Sequence, residues 1–374
     1  MKYLLPEDQL RLARLAERRF RARIKRKNLR QRRLLRQDEL RAIQKAFQVR
    51  YDVPGPRQKA RLPIMIPERL SLRENYKETV QMIVGLRDAV LRGNTPIQLY
   101  FDRVRYLEPA ATLLLVAEIF RCRQLRKWRG GHTVMGNYPS TSEIFFQLRE
   151  MGFYQVLDVD ERESVPDGRP AEDRPHFIRF RTMNSVIPRL AADFGEVVSR
   201  AAFAMNDLAK KRMVAALKEA MGNAHEHAYE RPGDYPVMPK RWWLAGHLHP
   251  ANREMMIMIL DQGIGIPNTL EPTIFEQLAA LLKLSGSPTD AKMIQAATEL
   301  HRTSTGKAGR GQGFQDMKRF VDTCDDGELW VVSNRGAYTY MKEDQAISEN
   351  ESSIGGTLIQ WRIRHARTVE VNDE

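Results

Sequence analysis

The sequence predicts an α/β protein with two modules of unequal size behind a basic helical arm. Three observations carry that expectation. Short apolar runs of strand length alternate with stretches of helical periodicity. Glycine-rich turns follow the strand-like runs in the second half of the chain. The length, 374 residues, suffices for two or three separate cores.

The first 50 residues hold 17 Lys and Arg against 5 Asp and Glu, so they account for almost all of the net charge of +13. No Pro or Gly falls between Pro6 and Pro54, and Leu, Ile and Phe are scattered through the run, so one or two basic helices are expected. Such an arm could neutralise nucleic-acid phosphates or dock on an acidic protein. It could equally be a solvated helix packed on the body through its few apolar residues. Met1 to Pro6 begins like a signal peptide, but acids and arginines follow at once. No run approaches a membrane span, and Cys122 and Cys324 have no paired spacing, which fits a cytoplasmic protein without disulfides or a zinc site.

Tyr51-Asp-Val-Pro-Gly-Pro56 is a breaker cluster and marks a boundary. Beyond it, residues 62–158 read as a small α/β module. Leu72 to Leu91 is helical, and Pro96 to Phe101 is a short strand. Pro109 at a first helical position opens an apolar helix from Ala110 to Arg126. His132 to Met135 is a strand, and Ser140 or Thr141 caps a helix reaching about Met151. The polar, breaker-rich stretch from Asp158 to Pro170 is a linker.

The second module, residues 176–365, starts with a strand at His176 to Phe180, then helical pattern from Pro188 to Tyr229. Trp242 to Leu248 and Glu254 to Leu260 read as neighbouring strands, Gly327 to Tyr340 and Gly356 to Ile363 as closing ones. A partly helical insert, with helical pattern at Ile274 to Leu284 and Ala291 to His301, lies between Pro267 and Gly309.

Candidate chemistry concentrates in this module. In Glu219-Ala-Met-Gly-Asn223-Ala-His-Glu-His227, three polar side chains stand one turn apart beside an apolar stripe of Met213, Leu217, Ala220, Met221, Ala224 and Ala228. A strand-like run ends at Asp261 and turns through Gly263 and Gly265. Gly309, Arg310, Gly311 and Gly313, with Lys307 just before, enter a helical pattern, an arrangement that cradles phosphate on backbone N–H groups. Gly355-Gly356-Thr357 opens the last strand. Each of these alone reads as readily as a solvated face or a plain turn. His225, His247 and His249 have no Cys or clustered acid beside them, so no protein-built metal site is expected.

In order and spacing the four stretches resemble the GHKL superfamily of ATP-binding domains, whose N box matches at Glu219, Asn223, Ala224 and His227. The first glycine box matches at Asp261, Gly263 and Gly265, the second at Gly309, Gly311 and Gly313, and the Gly-Thr box at Gly356 and Thr357. Glu226 departs from the basic residue that histidine kinases carry there. The resemblance implies a Bergerat-type α/β sandwich, a mixed sheet with helices on one face, binding ATP and Mg²⁺. It implies that Asp261 reads the adenine amine, Thr357 supports the adenine end and Asn223 ligates Mg²⁺. Glu219 would orient or deprotonate the attacking nucleophile, Lys307 and Arg310 would neutralise phosphate from the insert, and His227 would act at the site or only pack. A homodimer is an analogy with relatives.

Residues 97–157 resemble a STAS domain, the fold of anti-sigma-factor antagonists. Glu108-Pro109-Ala110-Ala111 stands where phosphorylatable members carry Asp-Ser-Ser-Gly, so the resemblance implies a module that binds or positions without being phosphorylated at that turn. Three functions remain open: an ATP-hydrolysing switch for a protein or nucleic-acid partner, a serine/threonine kinase of the anti-sigma type, and a nucleotide-binding scaffold that does not hydrolyse. The absence of a His-bearing dimerisation helix argues against a histidine autokinase.

Overall fold

The computed structural model describes residues 61–127, 132–161, 176–185, 205–238, 240–249, 252–270, 288–299, 313–342 and 344–364. All of them belong to the compact unit that begins at Arg61. The basic arm, the linker after residue 161, the helical pattern of 188–204 and the insert at 271–287 and 300–312 lie outside the described residues.

The protein is mixed α/β. The first part of the unit runs β1 (Leu62–Met65), β2 (Arg69–Leu70), α1 (Tyr76–Arg87), β3 (Ile97–Tyr100), β4 (Tyr106–Leu107), α2 (Pro109–Leu125), β5 (Val134–Gly136), α3 (Ser142–Glu150) and α4 (Phe153–Val156). Strands β1, β3 and β5 form a parallel sheet with β3 in the middle, Ile97 pairing with Leu62 on one side and Val134 on the other. Helix α1 ends in a π turn, Asp88–Arg92. Thr141 does stand at the N-cap of α3, but its hydroxyl makes no capping bond, and its carbonyl accepts from Phe145 N–H at 3.2 Å instead.

The second part runs β6 (His176–Met183), α5 (Asp207–Glu226), β7 (Trp242–His249), β8 (Glu254–Asp261), α6 (Ile266–Thr269), α7 (Asp290–Glu299), α8 (Gly313–Asp322), β9 (Asp326–Ser333), β10 (Gly336–Met341), β11 (Asp344–Glu349) and β12 (Thr357–Arg364). Seven strands make one sheet in the order β11-β10-β9-β12-β8-β7-β6. A mixed sheet was expected, yet every neighbouring pair is antiparallel. Few residues separate β7 from β8, β9 from β10 and β10 from β11, and so short a connection suits antiparallel neighbours. The stretch expected as one closing strand from Gly327 to Tyr340 is therefore a hairpin that turns at Asn334 and Arg335, and β11 extends it.

Both faces of the interior strands β7, β8, β9 and β12 are buried, which is why these strands read as largely apolar runs, whereas the edge strand β11 is exposed. On one face Trp242, Leu244, Ile257, Ile259, Leu329 and Trp361 pack with Met213, Leu217 and Met221 of α5 and Met317 and Phe320 of α8. On the other, Trp243, Ala245, Met258, Leu260, Trp330, Val332 and Leu358 join the core of the first part. Helix α2 explains the second contact. It is apolar all round, from Ala110 to Ala117, so it needs cover on every side. The large sheet supplies part of that cover, with Phe120 edge-on to Trp243 at 5.3 Å between ring centroids.

Within this apolar layer sits a charge cluster. Glu118 on α2 is fully buried and accepts from Arg121 at 2.6 and 2.8 Å and from Arg87 on α1 at 3.0 Å. Burial alone would push the Glu118 carboxyl up, but Arg121 and Arg87 bring it below its ordinary value. Removing one charge from such a set leaves the others desolvated and uncompensated. Glu118→Gln should destabilise the protein by about 3–5 kcal/mol in urea unfolding; a loss within 1 kcal/mol would show that the two guanidinium groups find other partners.

Candidate functional site

Asp261 is the last residue of β8, an interior strand, and pairs with Trp242 on β7 and Thr357 on β12. The residue is buried, 7 % exposed. Its carboxylate accepts from Gly263 N–H at 2.9 Å, and the N–H and hydroxyl of Thr357 beside it favour its ionised form. Burial nevertheless dominates and pushes the carboxyl up to about 7. A carboxylate that accepts from one N–H keeps capacity for further hydrogen bonds.

The chain around Asp261 is packed too closely for side chains. Gly356, at φ +149°, lies against the Asp261 carbonyl, where a Cβ would collide with it. Gly263 lies as closely against the carbonyl of Ala228, which also accepts from Ile264 N–H at 2.8 Å. The turn after Asp261 thus rests on the chain just past α5. Helix α5 starts from Asn206, whose side chain accepts from Ala209 N–H at 2.8 Å, and it buries the expected stripe from Met213 to Ala224.

Glu219 and Asn223 stand on α5 beside that stripe, both half-buried. Gly313, the first residue of α8, faces them: a Cβ there would lie 2.9 Å from Glu219 Oε2 and 3.5 Å from Asn223 Nδ2. The N-terminus of a ten-residue helix is thereby set beside a carboxylate and a carboxamide. Burial, then Asp316 on α8 and Glu226, hold the Glu219 carboxyl above its ordinary value. His227 is the C-cap of α5, half exposed, with Nδ1 2.8 Å from Glu230 Oε1. Lys307, Gly309, Arg310 and Gly311 lie outside the described residues. The flanks of their segment are tied together, because Lys318 Nζ on α8 is 2.7 Å from Glu299 at the end of α7, and Gln315 donates to Thr298 O at 3.1 Å.

The structure therefore brings Asp261, Gly263, Gly356 and Thr357 together at one end of α5, and Glu219, Asn223 and Gly313 along its last turns. From Glu219 to Ala228 the chain advances on the order of 13 Å. Among the described residues, no group of three or more His, Cys, Asp or Glu could hold a metal ion. A Mg²⁺ held by Asn223 and phosphate oxygens would need no such group. Among them, too, no helix is long and apolar enough to cross a membrane.

Four residues that sequence reasoning missed complete the base of this arrangement. Ser333 Oγ accepts from Ile266 N–H at 2.9 Å and lies 2.9 Å from Thr357 Oγ1. Asn334, at φ +53°, donates its side-chain amide to Ile264 O and its N–H to Gly356 O, both at 3.0 Å, so it joins the two glycine turns. Tyr229 Oη accepts from Gln262 N–H at 3.1 Å, and Gln262 itself is buried. The Ser-Asn-Arg-Gly turn signal at 333–336 was present in the sequence, but it was read through as strand. No protein-family model matches the chain, and no curated protein matches it.

Asp261 binds its proton more tightly in the fold than its ordinary value of 3.8 allows. The stability linked to that proton is complete below about 4 and is lost as pH rises through about 7. Asp261→Asn removes the ionisation, so the variant should lose less stability than wild type between pH 5 and pH 8 in urea unfolding. Parallel losses in the two proteins would place the ionisation of Asp261 well below this range.

Proposed function

We propose that the protein binds Mg-ATP in a pocket of the GHKL, or Bergerat, type and hydrolyses it, acting as a nucleotide-dependent conformational switch on a protein or nucleic-acid partner. The observation that supports this most is the junction around α5. The segments at 219–228, 261–265, 313 and 356–357, distant in sequence, meet there through side chains and close backbone contacts.

Asp261 accepts a hydrogen bond from the exocyclic amine of adenine, and Thr357, backed by Ser333, holds the carboxylate in place. The first N–H groups of α8 face the phosphates. Asn223 offers its amide oxygen to Mg²⁺, which when bound neutralises phosphate charge. Glu219 orients the attacking water and takes its proton, a role suited to a carboxyl held above its ordinary value. The first part of the unit is the STAS-like module that meets the partner. At its strand-to-helix turn the Glu108 carboxylate accepts from Ser71 Oγ and Leu72 N–H, both at 2.6 Å, so a carboxylate bound within the chain takes the place of a phosphorylatable hydroxyl.

Asn223→Ala should abolish Mg-ATP binding in calorimetry while thermal unfolding stays cooperative; unchanged affinity would reject the assignment. Glu219→Ala should still bind ATP and stop turnover, and label from γ-phosphate appearing on protein rather than as free phosphate would redirect the reading to a kinase. Because an ionised Asp261 accepts the adenine amine more strongly than a protonated one, ATP affinity should weaken as pH falls below about 7. A flat pH profile would remove Asp261 from the base contact.

A further inference from the structure

Two glycine-flanked turns carry the base end of the proposed site, and neither has side chains enough to hold itself. The turn after β8 is Gln262-Gly263-Ile264-Gly265, and the one before β12 is Ile354-Gly355-Gly356-Thr357. Gly355 and Gly356 both take positive φ, at +76° and +149°. Glycine leaves such a segment with more freedom to lose than any other residue, so its position must be fixed from outside. Asn334 and Ser333 tie the two turns together, and the first part of the unit adds ties of its own.

Arg87 Nη2 donates to Ile354 O at 2.6 Å, and its guanidinium lies against Gly355 so closely that a Cβ there would collide with it. Gln262 Nε2 reaches Glu118 Oε2 at 3.4 Å. Arg87 and Glu118 are themselves paired and fully buried. A third segment joins the same cluster: Tyr235, in the loop after α5, donates its hydroxyl to Asp88, with Arg92 over its ring at 4.2 Å and Arg87 at 5.1 Å. The chain just after Asp261, the chain just before Thr357 and the loop beyond α5 thus all meet one ionic cluster on α1 and α2.

We propose that Arg87 and Gln262 are positioning residues for the base end of the nucleotide site, so that the first module is a built-in part of that site. The inference rests on the ATP-binding reading above and deepens it. Arg87 does not touch nucleotide; it fixes the backbone that presents Thr357, while Gln262 fixes the strand end that presents Asp261. A shift of the cluster would act on base recognition and leave the phosphate end alone, because among the described residues the cluster's hydrogen bonds go to Ile354 and Gln262 and not to Asn223 or Gly313. A partner that moves α1 or α2 would change nucleotide affinity by this route.

The test compares Mg-ATP, Mg-GTP and Mg-tripolyphosphate binding by calorimetry in wild type, Gln262→Met and Arg87→Met. Tripolyphosphate reports the phosphate end alone. In Gln262→Met, ATP affinity should fall about tenfold and the preference for ATP over GTP should shrink, with tripolyphosphate affinity unchanged. Arg87→Met, where it folds, should show the same pattern more strongly, and Arg87→Lys should recover part of it. Gln262→Met keeps the ion cluster intact, so it reads out even if Arg87→Met unfolds. Equal losses for all three ligands, or no loss for any, would overturn the positioning role while wild type still binds ATP. Wild type failing to bind Mg-ATP would instead bring down the functional reading itself, and this inference with it.

Discussion

A carboxylate held out of water at the end of an interior strand constrains everything near it. Asp261 has Trp242 and Thr357 as lateral neighbours and is buried. A lone carboxylate in that position would be neutral; the Gly263 N–H it accepts from and the polar groups of Thr357 beside it keep its ionisation within reach of neutral pH. Those donors arrive only because the flanking chain comes close enough, and it does so at glycines. Gly263 and Gly356 are where the approach is tightest, against Ala228 and against the carbonyl of Asp261.

The price of so many glycines is a loosely held backbone, and the architecture answers it with a second layer. One face of the seven-stranded sheet is covered by α5 and α8, the helices that bring Glu219, Asn223 and Gly313. The opposite face is covered by the core built around α2. Arg87, Glu118 and Arg121 lie at that seam, and their bonds to Ile354 and Gln262 reach the two turns that frame Asp261. Arg73 adds a second tie at the seam, paired with Glu328 and stacked 4.2 Å over Trp330. The two layers share a core, so movement in one is felt in the other.

Much of this was legible in the sequence because it follows from periodicity. The stripe from Met213 to Ala224 faces the core as its spacing requires, and Glu219 and Asn223 share a column beside it. The apolar helix after Pro109 is as buried as its composition demands. What failed to show was anything set by distant pairing. No local signal marks Glu118 and Arg121 as the partners of Arg87, because a buried ion cluster and a solvated charge column look alike along a helix. The hairpin at Asn334 was hidden because both of its arms are apolar and alternate with the same period. Gln262 and Ser333 carry no motif of their own; their roles come from the residues the fold sets beside them. The mixed sheet was an expectation taken from the family resemblance and not from the strands themselves, whose pairing is antiparallel throughout the large sheet.

In the proposed site, one ligand engages segments far apart in the chain. Hydrogen–deuterium exchange with and without Mg-ATP tests it most directly. The account predicts slowed exchange together in peptides covering 219–229, 260–266, 313–318 and 354–358, with the sheet edge at 344–349 unchanged. Protection absent from these four, or confined to one of them, would contradict it.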